Sequence, residues 1–153
     1  MKEIESLYRS RFPHFVQVAT AIVGESELAV DAVQDAFAGI VRSRRTFRGD
    51  GSMEAWIWRA VVNASYRARR APEATAGETP GQGNGYESVE QSGLWPHIAL
   101  LPDRQRAALF LRYYADLDYR SIAEALGIEI GTVSATLSAA HTSLRRSLGK
   151  VRR

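Results

Sequence analysis

A polar stretch in the middle of the chain, residues 71–93, constrains the fold more than any other sequence feature. It contains five glycines, two prolines and four glutamates, and almost no large apolar residue. Such a segment buries too little apolar surface to offset its chain entropy, so it is typical of a linker. Over 23 residues, its mean span is about 26 Å if flexible and its limit about 75 Å. The sequence therefore predicts two modules, residues 1–70 and 94–153, joined by a flexible acidic linker that lets them sit well apart on one partner.

Both flanking blocks carry apolar residues at three- and four-residue steps, which is the pattern of helices that bury one face. In the first block such a stripe covers residues 4–23 and ends at Gly24. In the second block Asp118 can cap a short helix that Gly127 ends, and a longer helix begins near Ile130. No strand alternation is convincing. The predicted fold class is all-α, with two small helical modules of which the C-terminal one is a helix-turn-helix.

Charge is unevenly distributed along the chain, although the net charge is only +3. Residues 1–70 hold 11 basic and 8 acidic residues, the linker holds four acidic and no basic residues, and residues 94–153 hold 9 basic and 5 acidic residues. Two basic blocks suit a polyanionic partner. A surplus this small is also common in proteins that bind no nucleic acid, so charge alone leaves the partner open.

Catalysis, metal binding and membrane insertion find little support in the sequence. Without cysteine there are no disulfides or thiolate ligands, and the three histidines are scattered. The carboxylates form no convergent pair, and no phosphate-binding glycine loop is present. No apolar run approaches the roughly 20 residues that span a bilayer, and the N-terminus has no secretory core. We expect a cytoplasmic protein with no cofactor and no metal that is not an enzyme.

Two segments carry a specific family resemblance. The C-terminal promoter-binding domain of sigma factors is similar to residues 101–148, LPDRQRAALFLRYYADLDYRSIAEALGIEIGTVSATLSAAHTSLRRSL. The core-binding and promoter-melting domain of the same family is similar to residues 29–63, AVDAVQDAFAGIVRSRRTFRGDGSMEAWIWRAVVN. The order of the modules, the linker and the overall size resemble the extracytoplasmic-function group of RNA polymerase sigma factors, in the sigma-70 family.

The resemblance implies a sigma factor that binds core RNA polymerase, directs it to promoter DNA and helps to melt the duplex. Residues 1–70 would form the region 2-like domain that docks on core polymerase and holds displaced bases of the downstream promoter element. Residues 94–153 would form the region 4-like domain that reads the upstream element in the major groove. An anti-sigma factor is a further partner that the family implies, and no membrane insertion is expected.

The resemblance also implies roles for individual residues. Helical periodicity places Trp58 off the apolar stripe of its helix, so it is predicted to face outward beside Arg59 and Asn63, whereas Trp56 is assigned to the core. An outward Trp58 would either stack on unpaired bases or form a contact between helices. The residues predicted to bind core polymerase are Asp31, Gln34, Asp35 and Phe37. Those predicted to bind the downstream element are Trp58, Arg59, Asn63, Tyr66 and Arg67. Those predicted to bind the upstream element are Thr132, Ser134, Thr136, Ser138 and Arg145.

Two other classes of function stay open at this point. Sigma factors often carry basic residues along the recognition helix, but this chain has no Lys or Arg from Thr132 to Ser143. That departure favours a sigma-like interaction protein, which binds polymerase or a regulator without initiating transcription. A helix-turn-helix repressor is the third reading, and it would bind operator DNA alone as a dimer. An abortive-transcription assay with core polymerase distinguishes the first alternative from a sigma factor.

Overall fold

The computed structural model describes residues 2–47, 49, 52–70 and 93–151 of the chain. All regular secondary structure in these ranges is helical, and the all-α prediction is confirmed. The predicted linker lies outside the described residues except for Gly93. The helices in chain order are α1 (Lys2–Val23), α2 (Ser26–Ser43), a 3-10 turn (Arg44–Thr46), α3 (Met53–Arg70), α4 (Trp95–Ala99), α5 (Asp103–Tyr113), α6 (Tyr119–Leu126) and α7 (Ile130–Val151).

Local capping chemistry sets several helix ends. Gly24 and Gly127 follow α1 and α6 with φ angles of 95° and 68°, a left-handed conformation that glycine adopts without strain. Asp118 caps α6 as predicted, because its carboxylate accepts a backbone N–H of the first turn at 2.8 Å. Helix α2 is capped by the carboxylate of Glu25, although its neighbour Ser26 is the residue type that usually caps.

The first module is a three-helix unit in which α1, α2 and α3 pack against one another. An aromatic cluster fills its centre. The ring of Phe15 lies 4.4 Å from that of Trp58 and 5.2 Å from that of Phe37, centroid to centroid. Pro13 lies inside α1 but does not divide it. The module therefore presents α2 and α3 side by side on a shared surface.

The second module is built on α5, α6 and α7, with α4 packed against α7. Leu111, Ile122 and Leu137 are fully buried at its centre. The axes of α6 and α7 meet at 97°, which is the geometry of a helix-turn-helix, and this prediction is confirmed. In the described part of the chain, no helix taken singly has the length and apolar character to cross a membrane. Helices α6 and α7 have that length and apolar character only when they are counted together, and the chain bends by 97° between them.

The two modules are in contact in this structure, and their buried side chains form one continuous cluster. Helix α3 packs against α6, and α1 packs against α5. Arg106 of α5 donates from Nε to the carbonyl oxygen of Ala21 at 2.8 Å, and Arg69 forms an ion pair with Asp103. We call this the closed arrangement. The prediction that the modules can sit apart therefore describes a different arrangement from the one observed.

Candidate functional site

The two tryptophans of α3 take opposite positions from those predicted. Trp58 is fully buried, at 0% exposure, so the prediction that it faces outward and stacks on bases is wrong. Trp56 is only half-buried, and its ring packs against that of Phe47 at 5.2 Å. The physical reason is that α3 is covered by α1, α2 and α6, which buries more of its circumference than one apolar stripe.

A groove of about 410 Å³ between α2 and α3 brings several predicted residues together. Trp56, Arg59, Asn63 and Arg67 follow one another at steps of three and four residues, which places them on one face of α3. That spacing was the feature in the sequence that would have identified Trp56 as part of the site. The lining residues are Asp35, Ala36, Gly39, Ile40, Arg42, Ser43, Trp56, Arg59, Ala60, Asn63 and Arg67.

The groove is electropositive and open to solvent. Arg59, Asn63 and Arg67 are exposed on the α3 side, and Arg42 is exposed on the α2 side. Against these three guanidinium groups stands one carboxylate, that of Asp35. An aromatic ring, an amide and several cations around one cavity can stack on a planar ring, hydrogen-bond its edge and neutralise a phosphate.

Tyr66 lies apart from this groove, in the cleft between the modules. It is half-buried beside Arg69 of α3 and Asp103 and Arg104 of α5. Burial, reinforced by the Asp103 carboxylate, raises the pKa of its hydroxyl above the ordinary value. The structure therefore separates Tyr66 from Arg59 and Arg67, whereas Asn63 lines both the groove and the cleft.

The residues predicted to bind polymerase divide into exposed and buried members. Asp31, Gln34 and Asp35 are exposed along one side of α2. Phe37 is 6% exposed, and its ring lies 4.8 Å from that of Tyr8. The prediction that Phe37 contacts a partner directly is therefore wrong, because the residue lies on the inner stripe of α2 and builds the core.

The outward face of α7 carries the residues predicted to read the upstream element. Thr132, Ser134, Ser138 and Arg145 are exposed, whereas Thr136 is half-buried. A groove of about 510 Å³ runs beside Ser134, Ser138 and Arg145. The face therefore offers mainly hydroxyl groups.

A contact that the sequence did not reveal lies beside this face. The hydroxyl of Tyr113 is 2.9 Å from Nε2 of His141, which joins α5 to the middle of α7. The two residues are 28 positions apart, and neither belongs to a recognisable spacing pattern. In the sequence, His141 is only one of three scattered histidines.

Family models match both modules. The sigma-70 region 2 model matches residues 7–74, and the sigma-70 region 4 model matches residues 98–144. Together they cover most of the chain, in the order of the two modules. The chain therefore belongs to the sigma-70 family of RNA polymerase sigma factors, in its extracytoplasmic-function group.

Individual relatives agree with this assignment. The chain is 27% identical to the RNA polymerase sigma factor YlaC of Bacillus subtilis, over 97% of this chain and 94% of that protein. It is 29% identical to the extracytoplasmic-function sigma factor SigM of Mycobacterium tuberculosis, over 95% of this chain and 76% of that protein. It is thus a promoter-directing sigma factor, which recruits core RNA polymerase to promoter DNA.

Solved structures share the fold of both modules. The sigma factor RpoE from Bartonella quintana, solved with the anti-sigma factor NepR, superposes with a TM-score of 0.76 at 22% identity, over the whole of both chains. CnrH, solved with the cytosolic domain of CnrY, gives a TM-score of 0.73 at 21% identity, over 97% of this chain and 89% of that chain.

Proposed function

We propose that the first module holds displaced bases of the downstream promoter element in the groove between α2 and α3. The observation that carries this proposal is the convergence of Trp56, Arg59, Asn63 and Arg67 on one cavity. Base stacking on an aromatic ring stabilises a single strand by about 1–3 kcal/mol per base. Flipping a base costs a few kcal/mol, so a groove that retains it favours melting and sequence choice together.

The same module docks on core polymerase through the exposed side of α2. Asp31, Gln34 and Asp35 form a polar, acidic surface, and Asp35 also lines the groove. Docking and base capture therefore occur on adjoining surfaces. The closeness of these two surfaces suits a factor that melts the duplex only when polymerase is bound.

The second module reads the upstream element with α7. A helix set at 97° to its supporting helix can enter the major groove while the support crosses the backbone. Contacts come from the hydroxyls of Thr132, Ser134 and Ser138, from backbone N–H groups at the start of α7, and from Arg145. Thr136 takes a lesser part because it is half-buried.

Other attributes follow from the same role. The chain acts by binding and not by catalysing a reaction, and it works in the cytoplasm with polymerase. An anti-sigma factor is a proposed partner, since the similar structure of RpoE was solved with the anti-sigma factor NepR.

The experiment that tests the proposal removes the amide from the groove. Asn63→Ala should slow open-complex formation while leaving core binding unchanged, because the residue is exposed and lies outside the docking surface. A promoter mismatched over the downstream element should rescue much of the defect, because its bases are already unpaired. Gln17→Ala, which removes an amide from α1 outside the groove, is the matched control. Equal impairment on duplex and mismatched templates would show that Asn63 has no part in base capture.

A further inference from the structure

The cleft between α3, α5 and α6 has the size and the lining of a site for a small ligand. Its volume is about 490 Å³, within the range of roughly 300–1,000 Å³ that small-molecule sites occupy. Apolar groups of Val62 and Leu126 line it, together with polar groups of α3 and α5. Of the lining residues, Asn63 also lines the α2–α3 groove, but the two cavities are otherwise built from different side chains.

Positive charge is in surplus in this cleft. Arg69 contacts one oxygen of the Asp103 carboxylate and Arg106 contacts the other, so both oxygens are engaged. Arg104 also lines the cleft, is exposed, and forms no ion pair with any residue that the structure describes. Three guanidinium groups therefore surround one carboxylate. A doubly charged phosphate group would neutralise the remainder through charge-assisted hydrogen bonds.

The hydroxyl of Tyr66 lies within the field of the same charged groups. The groups that act on it are the carboxylate of Asp103 and the guanidinium groups of Arg69, Arg104 and Arg106. Burial, reinforced by Asp103, raises the pKa of this hydroxyl above its ordinary value. It therefore keeps its proton at neutral pH and can donate a hydrogen bond to an anion. A neutral donor beside Arg104 suits a phosphate oxygen.

The remaining surface of the cleft suits a planar ring. Val62 is 1% exposed and Leu126 is half-buried, and both line the cleft with Tyr66. An aromatic ring and aliphatic groups can hold a nucleobase by stacking and apolar contact. The exposed amide of Asn63 offers two donors and an acceptor to the edge of such a base. Inorganic phosphate alone would leave this part of the cleft unused.

We propose that this cleft binds a nucleotide, with its phosphate groups between Arg69 and Arg104 and its base against Tyr66. The site is separate from the groove proposed for promoter strands, and its occupation requires neither polymerase nor DNA. A ligand that touches α3 and α5 binds the folded chain and not the unfolded one, so it stabilises the fold by mass action. The chain thereby has a small-molecule ligand in addition to its macromolecular partners.

Isothermal titration calorimetry of the free chain with ATP and with GTP tests the proposal. Divalent cations are left out so that the phosphate groups keep their full charge. We expect saturable binding with a Kd below about 1 mM, and a midpoint of thermal unfolding that rises with nucleotide concentration. Adenosine has no phosphate and inorganic pyrophosphate has no base, so each should bind about tenfold more weakly or worse.

Variants locate the site. Arg104→Gln should weaken ATP binding by about tenfold or more, because it removes the guanidinium group that has no internal partner. Arg146→Gln, which removes the same charge from an exposed position on α7, is the matched control and should bind ATP as the wild type does. Tyr66→Leu should weaken ATP binding more than Tyr66→Phe, since only the former removes the ring. Circular dichroism checks that each variant is folded.

Four results would contradict the proposal. The first is the absence of saturable binding of either nucleotide below that Kd. The second is an equal loss of affinity in Arg104→Gln and Arg146→Gln, which would mean that ATP is attracted by general charge alone. The third is weaker ATP binding by Trp56→Ala, because Trp56 lines the α2–α3 groove and not the cleft. The fourth is pyrophosphate binding as tight as that of ATP, which would exclude a contribution from the base.

Discussion

The α2–α3 groove and the outward face of α7 are both proposed to meet promoter DNA, but their chemistry differs. The groove combines the ring of Trp56 with the guanidinium groups of Arg59 and Arg67. The α7 face has no basic residue over 132–143 and offers hydroxyls such as that of Ser134. Aromatic and cationic groups suit unpaired bases and their backbone, whereas neutral donors position a helix without releasing counterions. We infer that strand capture by the first module supplies more of the affinity than upstream recognition.

The largest effect should separate the two tryptophans of α3. Trp58→Ala should lower the free energy of unfolding by about 3–5 kcal/mol, because it removes a fully buried ring. Trp56→Ala should lower the free energy of unfolding by much less, because that ring is half-buried at the groove. Urea denaturation followed by circular dichroism measures both. If the two variants were equally destabilised, Trp56 would be a core residue and the groove would lose its stacking surface.

A smaller effect should follow from changing the docking surface. Gln34→Ala combined with Asp35→Ala should weaken core binding at least tenfold, about 1.4 kcal/mol. Helicity should be unchanged because both side chains are exposed. Fluorescence titration of core polymerase measures the affinity, with Glu27→Ala, an exposed acid in the first turn of α2, as the control. Unaltered affinity in the double variant would mean that polymerase docks elsewhere.

The smallest effect concerns the neutral face of α7. Ser138→Arg should steepen the salt dependence of binding to duplex upstream DNA by about 0.9, the contribution of one new phosphate contact. Ser134→Ala should weaken binding with little change in slope, since a hydroxyl releases no counterion. Anisotropy of the polymerase-bound chain across a salt series measures both, and Ser6→Arg on α1 controls for added charge. If the wild-type slope were as steep as six Lys or Arg contacts to phosphate would make it, the proposal that α7 binds DNA mainly through neutral hydroxyls would be wrong.

Much of the fold could be predicted because its determinants are local. Apolar steps of three and four residues located the helices, and Gly24 and Gly127 marked two of their ends. The position of Trp58 could not be read in this way, since α3 is covered by three helices and a single stripe underestimates its burial. Phe37 was misassigned for a different reason: a family motif includes residues that build the core as well as residues that touch a partner.

The closed arrangement of the two modules could not be predicted from the sequence. Arg106 and Ala21 are 85 positions apart in the sequence. The polar segment between them is typical of a linker, which predicts that the two modules are separate and not that they touch. Nothing in the periodicity of α3 or α6 says that one packs on the other. The position of Tyr66 in the cleft, apart from Arg59 and Arg67, follows from this contact, so the sequence could not predict it either.

The most direct test of the groove measures strand binding when its ring is removed. With the chain bound to core polymerase, Trp56→Ala should weaken binding of a single strand carrying the downstream element by about 1–3 kcal/mol, the usual contribution of one stacked base. Trp56→Phe, which keeps a ring at the same position, should restore most of the affinity. Undiminished binding by Trp56→Ala would contradict the assignment of the α2–α3 groove to displaced promoter bases.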